Sequence, residues 1–236
     1  MKRYIKYVML LSILCLCVGI GEVKAIEGGG TETPPKVLYL TFDDGPTEYT
    51  NNLLDLLAEH NMKATFFMLE AEMKRNPEVV KRMVNEGHAV GVHGVSHEKA
   101  TFYCGVLGPL KEMEHANETL ATIIGARTYL ARTPYGSSPH LTKQQSEALS
   151  SQHYIIWDWN VDSRDWSYRS PEKTFAHTIK MVKGTQKEPK VILFHDMKSV
   201  LQTMKLFLKW MDDNQYTSQA ITPDLEPVKL WRKSNR

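Results

Sequence analysis

The sequence predicts an α/β fold: a distorted (β/α)7-8 barrel, built as a single domain behind an N-terminal signal segment. Three observations carry that expectation. Apolar, β-prone runs alternate with helical patterns along most of the chain, an order that means parallel strands covered by helices. With 236 residues and 42% hydrophobic content, the chain can bury one large core. The unusual polar residues fall at the C-terminal ends of the expected strands, where a β/α barrel gathers its functional rim. About seven strand–helix units favour a closed or nearly closed barrel over an open sheet.

The first 25 residues stand apart from this pattern. Lys2, Arg3 and Lys6 precede an apolar run from Tyr7 to Ile20, and Val23-Lys24-Ala25 follows. This is the order of a secretory signal, too short for a membrane span of roughly 20 apolar residues. Cleavage after Ala25 is the expectation, with an uncleaved anchor as the alternative; Cys15 and Cys17 lack the small-residue context of a lipidated cysteine. Of 29 basic and 27 acidic residues, four basic (Lys2, Arg3, Lys6, Lys24) and one acidic (Glu22) lie in this segment, which leaves 25 against 26. A near-neutral mature chain has no basic stripe for nucleic acid. Only Cys104 remains after cleavage, so no intramolecular disulfide forms, and a small, partly buried side chain is expected there.

Residues 26–35, with their Gly and Pro clusters, read as a flexible lead-in, and the catalytic domain is expected over 36–236. Expected strands are Val37–Phe42, Ala64–Met68, Ala89–His93, Thr128–Ala131, Tyr154–Trp157, Val191–His195 and a weak one near Gln219–Ile221. Expected helices are Thr47–His60, Pro77–Glu86, Leu107–Ile124, Thr142–Ser150, Pro171–Lys183 and Lys198–Asn214. Leu53, Leu54, Leu56, Leu57 and Ala58 give the first helix an apolar face, and Asn61 stops it. Asn76-Pro77-Glu78 reads as an N-cap, a first-turn proline and a first-turn acid. Asn117-Glu118-Thr119 matches the glycosylation acceptor pattern but falls in the middle of a helix. The basic C-terminal stretch Val228–Arg236 reads as a solvated tail.

The chemistry sits at strand ends. Asp43 and Asp44 end the first expected strand, His93 and His97 follow the third, Arg132 the fourth, Asp162 and Asp165 the fifth, and His195 ends the sixth. Taken singly, each has a plainer reading: adjacent aspartates before Gly-Pro form turns and caps, and a strand-end histidine is usually structural. Taken together on one rim they suggest more. The four-residue spacing of His93 and His97 brings two imidazoles to one side of a helical turn. Two nitrogens and a carboxylate suit a divalent metal, zinc first with cobalt or iron as alternatives, and leave positions open for water and substrate. An aspartate beside His195 would raise its imidazolium population, and Arg132 beside Asp43 would hold that carboxylate ionised and aimed.

Five stretches now resemble a family in order. "TFDDGP" at Thr41–Pro46, "HGVSH" at His93–His97, "RTPYG" at Arg132–Gly136, "DSRDW" at Asp162–Trp166 and "LFH" at Leu193–His195 are similar to the motifs of the NodB-type polysaccharide deacetylases, carbohydrate esterase family 4. The resemblance runs from Lys36 to Ile221. It implies that Asp44, His93 and His97 bind the metal and that Asp43 is the general base, oriented by Arg132. It further implies that the Tyr135 N–H forms part of the oxyanion hole and that His195, paired with Asp165, is the general acid. Trp166 and Leu193 would wall the acetyl pocket; Asp162 receives no clear role. The family's second motif usually carries Ser or Thr after its first histidine, and Gly94 here puts the rigidity of that loop in question.

The expected function is an exported, monomeric, metal-dependent N-deacetylase acting on a polysaccharide: N-acetylglucosamine of peptidoglycan first, chitin-type oligomers second. An O-acetyl xylan esterase would use the same residues. A glycosidase suits them poorly, because its two acids must stand roughly 5–9.5 Å apart across the bond and three histidines would be idle. A carbohydrate-binding relative without catalysis would lack one of Asp43, Asp44, His93, His97 or His195, and all five are present.

Overall fold

The computed structural model describes residues 36–230. The expected signal segment (1–25), the expected lead-in (26–35) and residues 231–236 lie outside the described residues. Eight strands form one sheet: β1 (Lys36–Asp44), β2 (Ala64–Leu69), β3 (Ala89–Gly94), β4 (Leu130–Ala131), β5 (Ile155–Ile156), β6 (Val161–Asp162), β7 (Lys190–His195) and β8 (Tyr216–Ser218). All pairings are parallel, in the order β5-β4-β3-β2-β1-β7-β6, with β8 beside the start of β1. No ladder joins β5 to β6, so the curled sheet is a half-barrel. The C-terminal chain crosses the opening: Asp158 N donates to Val228 O at 2.8 Å, and Leu230 N to Asp158 Oδ2 at 2.7 Å.

The longer helices are α1 (Thr50–Glu59), α2 (Glu70–Arg75), α3 (Pro77–Asn85), α5 (Gly108–Ile124), α6 (Lys143–Ser151), α8 (Pro171–Gly184) and α9 (Lys198–Asp213); α4 (Lys99–Phe102) and α7 (Asp165–Tyr168) are single turns. Alternation along β1 divides the core in two. Leu38, Leu40 and Phe42 point outward to Leu53, Leu54, Phe207 and Leu208 under the helices, while Tyr39 points inward to Phe67, Trp157, Val191 and Ile221. Burying each such side chain is worth about 1.5–3 kcal/mol, which makes the outer layer the main source of stability. Among the described residues no helix is long and apolar enough to cross a membrane.

Several local expectations shift, each for a visible reason. Ala58 is exposed, since Leu53, Leu54 and Leu57 already fill the buried face of α1. Asn76 stands at the N-cap of α3 as expected, but its side chain makes no capping bond; its amide donates to Pro46 O at 2.8 Å and ties down the loop after β1. The strand expected from Thr128 starts only at Leu130, because Thr128 N donates to Asn117 Oδ1 and its hydroxyl to Val90 O. That same Asn117 is 1% exposed, with its amide on Thr128 O and the Tyr154 hydroxyl, so it cannot accept a glycan in the folded protein. The last strand lies at Tyr216–Ser218, before the expected Gln219–Ile221, and Ile221 instead joins the inner core. Cys104 is exposed, not partly buried.

Candidate active site

Strand alternation alone would send Asp43 and Asp44 to opposite faces of β1. Asp43 keeps the inward direction, buried to 3% exposure, and accepts from Arg132 Nη1 at 2.8 Å. Asp44 escapes the alternation because its backbone is left-handed, φ 76°, a conformation that aspartate tolerates better than most residues. Both carboxylates therefore reach one rim. The turn beyond is held by a residue that the sequence reading missed, Asp196, whose carboxylate accepts from the Thr47 and Thr50 hydroxyls. A Cβ at position 45 would lie 2.3 Å from Asp196 Oδ2, so only glycine fits there.

Arg132 is the centre of this rim. Fully buried, it spends every guanidinium nitrogen: Nε on Trp157 O, Nη2 on Asp158 O, and Nη1 on both Thr41 Oγ1 and Asp43 Oδ1, all within 3.0 Å. Its plane lies 4.3 Å from the centre of the Phe67 ring. The carboxylate of Asp43 is thus aimed, as expected. Its ionisation is less settled by Arg132 than expected, since burial pushes its pKa up and outweighs the lowering by Arg132's charge and hydrogen bond. A carboxylate so destabilised is a stronger base once it is ionised.

Asp44 Oδ1 stands 3.6 Å from His93 Nε2 and 3.6 Å from His97 Nε2, and the three ligand atoms lie within 4.8 Å of one another. This Oδ1 is buried with no hydrogen-bond partner among the described residues. An orphaned carboxylate oxygen facing two imidazole nitrogens is an arrangement that a cation completes. His93 comes from β3 and presents Nδ1 to Arg132 O at 2.7 Å, which makes Nδ1 the protonated nitrogen and leaves the Nε2 lone pair toward Asp44. Burial lowers its pKa to about 3, so it is neutral, the state a ligand needs. The helical turn expected from the His93–His97 spacing is absent: His93 is in a strand, and His97 follows in a loop at φ 51°. The Tyr135 hydroxyl braces that loop by donating to His97 O at 2.9 Å, with the two rings 4.7 Å apart.

Opposite stands His195, at the end of β7. Asp165, buried at the start of α7, accepts from His195 N at 2.6 Å and pairs with its Nδ1 at 2.8 Å. Burial lowers the pKa of His195, but the hydrogen bond and charge of Asp165, with the charges of Asp43 and Asp44, more than offset it and raise the value to about 9. The imidazolium is therefore held through neutral pH. Asp162 has separate work: its Oδ1 accepts from Arg164 N at 2.8 Å, capping the turn. A folded-state pKa raised from 6.5 to about 9 contributes stability that is complete below pH 6.5 and lost as pH rises to 9. In chelator-treated protein, melting temperature should fall across that window, and the fall should be absent in His195→Gln; parallel curves would refute the assignment.

These groups open onto a cavity of about 560 Å³ walled by Tyr135, Trp159, Trp166 and Leu193, a size that suits a sugar unit. Tyr135 is left-handed, φ 64°, and its N–H makes no hydrogen bond among the described residues. Every site residue expected from the sequence is at this cavity or holds one that is. Of the aromatic side chains near the rim, Trp159 and Trp166 line the cavity. Tyr103 instead donates to Pro134 O, fixing the loop that bears Tyr135, and Tyr168 packs on His177. Asp158, also missed by the sequence reading, fixes the far side of the same loop by accepting from Ser137 N and Oγ. Neither Asp158 nor Asp196 had a spacing or motif to betray it.

This parallel half-barrel gathers at its strand ends the groups that metal-assisted hydrolysis uses, with three side chains close enough together that they could hold a divalent ion. Comparison with known proteins narrows this. The family described as polysaccharide deacetylase matches residues 30–153. The chain is 40% identical over 196 residues to YheN of Bacillus subtilis (strain 168), provisionally named a polysaccharide deacetylase, covering 82% of this chain and 70% of that protein. It is 37% identical over 207 residues to a peptidoglycan-N-acetylglucosamine deacetylase of Bacillus cereus, covering 83% and 73%. The crystal structure of the polysaccharide deacetylase Bc1974 from Bacillus cereus superposes with a TM-score of 0.76 at 36% identity, over 84% of this chain and 98% of that one. The chain belongs to the polysaccharide deacetylase family, hydrolases of carbon–nitrogen bonds other than peptide bonds.

Proposed function

We propose that the protein removes N-acetyl groups from N-acetylglucosamine in peptidoglycan, with chitin-type oligomers as the second substrate, and that it does so outside the cytoplasm as a monomer. The observation that carries this reading is the division of labour around one cavity: a carboxylate aimed by Arg132 on one side and an imidazolium held by Asp165 on the other. The name of the Bacillus cereus relative supports the substrate, and the leader pattern supports export.

Asp44, His93 and His97 would hold the divalent ion, zinc first with cobalt or iron as alternatives. When bound, the ion supplies Lewis-acid charge at the reacting carbonyl. Asp43 takes a proton from the attacking water as its oxygen bonds to the acetyl carbon. The carbonyl oxygen gains negative charge, to which the Tyr135 N–H donates; one such donor is typically worth about 3 kcal/mol. His195, protonated at neutral pH, then gives its Nε2 proton to the amine nitrogen as the C–N bond breaks, leaving acetate and a free amino sugar. Trp166 and Leu193 wall the pocket for the acetyl methyl, and its apolar lining favours acetyl over a charged acyl group.

The test is acetate release from peptidoglycan and from N-acetylglucosamine oligomers by protein stripped with a chelator and reloaded with zinc or cobalt. Release should vanish with the chelator and return with the metal. Acetate only from O-acetylated xylan would replace this reading with the esterase one, and new reducing ends without acetate would mean glycosidase chemistry.

A further inference from the structure

We propose that Glu112 is a positioning residue for the metal ligands, holding the loop between His93 and His97 from the neighbouring helix. The inference rests on the reading of Asp44, His93 and His97 as ligands. The loop folds back at Gly94, φ 99°, where an added Cβ would lie 2.8 Å from Phe102 Cε2. Position 94 therefore has no room to supply a side-chain acceptor. Val95 N and Ser96 N need one, and both donate at 2.8 Å to a single oxygen, Glu112 Oε2. A carboxylate accepting two backbone N–H groups makes charge-assisted bonds, about twice as strong as neutral ones.

The support for that carboxylate is rigid. Glu112 belongs to the 17-residue helix α5, whose Met113, Ala116 and Leu120 are fully buried against the outer core. The next residue after the doubly anchored turn is His97, left-handed at φ 51°, whose Nε2 faces Asp44 Oδ1. Glu112 thus transmits the position of a helix to the second imidazole. Ser96 Oγ does not compete for this work; it accepts from Glu98 N beyond the turn. The loop whose rigidity Gly94 put in question is fixed from outside its own sequence.

The experiment measures zinc and cobalt affinity of the whole chain by competition with a chromophoric chelator, together with the melting temperature of the metal-free protein. Glu112→Ala should bind both metals about 10–100-fold more weakly, with the metal-free melting temperature close to wild type. Glu112→Gln, whose amide oxygen can still accept both N–H groups, should recover most of the affinity. Wild-type affinity in Glu112→Ala overturns the proposal. So does a loss of metal-free stability in Glu112→Ala that Glu112→Gln does not rescue, because that marks ordinary support of the fold. If Glu112→Ala does not fold, Glu112→Asp decides: one methylene shorter, it should bind metal weakly, and wild-type affinity there overturns the idea. Failure of the wild-type protein itself to take up metal removes the ligand reading beneath the proposal, and is seen before any variant is made.

Discussion

Asp43→Asn is expected to lower kcat/KM for acetate release by about 10²–10⁴-fold, the usual range for loss of a general base, while metal affinity and melting temperature stay near wild type. Asparagine keeps the shape and still offers an oxygen to Arg132 Nη1, so the local hydrogen bonds persist. It cannot take a proton from water. The small stability effect follows from the sign of the pKa shift. Burial raises the carboxyl of Asp43 above its usual 3.8, so the folded state favours the protonated form. Its ionised form is a net penalty that sets in as pH rises above that value. A neutral amide removes this penalty and also removes the charge that faces the buried Arg132, and the two effects oppose each other. Full activity in Asp43→Asn, with acetate measured directly, would falsify the assigned base.

Much of the site was legible in the sequence because its residues sit at strand ends, and strand ends are found from apolar runs. Asp43, His93, Arg132 and His195 all follow or end such a run, and the parallel order places those ends on one rim. What the runs could not give was direction. Asp44 reaches His93 and His97 only through a left-handed backbone, and His97 arrives through a loop instead of the helical turn that its spacing suggested. Short elements were lost for a related reason: β6 has two residues and α7 four, too few for either period to register. Asp196, Asp158 and Glu112 act by accepting hydrogen bonds from loops distant in sequence, and no local pattern marks such a partner. The missing β5–β6 ladder was equally hidden, because whether the barrel closes depends on the curl of the sheet and on the C-terminal segment that fills the gap.

Arg132→Leu should give the largest combined loss, in stability and in activity together. Arg132 is fully buried, and its removal leaves Trp157 O, Asp158 O and Thr41 Oγ1 without its donors and Asp43 without a counter-charge. Breaking a buried pair from one side typically costs about 3–5 kcal/mol, which for a chain of this length is a fall of about 6–20 °C in melting temperature. The carboxyl of Asp43, already raised by burial, loses the main influence that lowered it, so its pKa moves further up and less of it is ionised. A protonated base cannot accept another proton, so kcat should fall even in the fraction that remains folded. The double variant Arg132→Leu with Asp43→Asn separates the two effects. If the buried charge is the source of the instability, the double variant should melt above Arg132→Leu alone, with no recovery of acetate release. Equal melting temperatures would instead place the loss in the abandoned carbonyls of Trp157 and Asp158, and would mean that Arg132 serves the barrel more than the base.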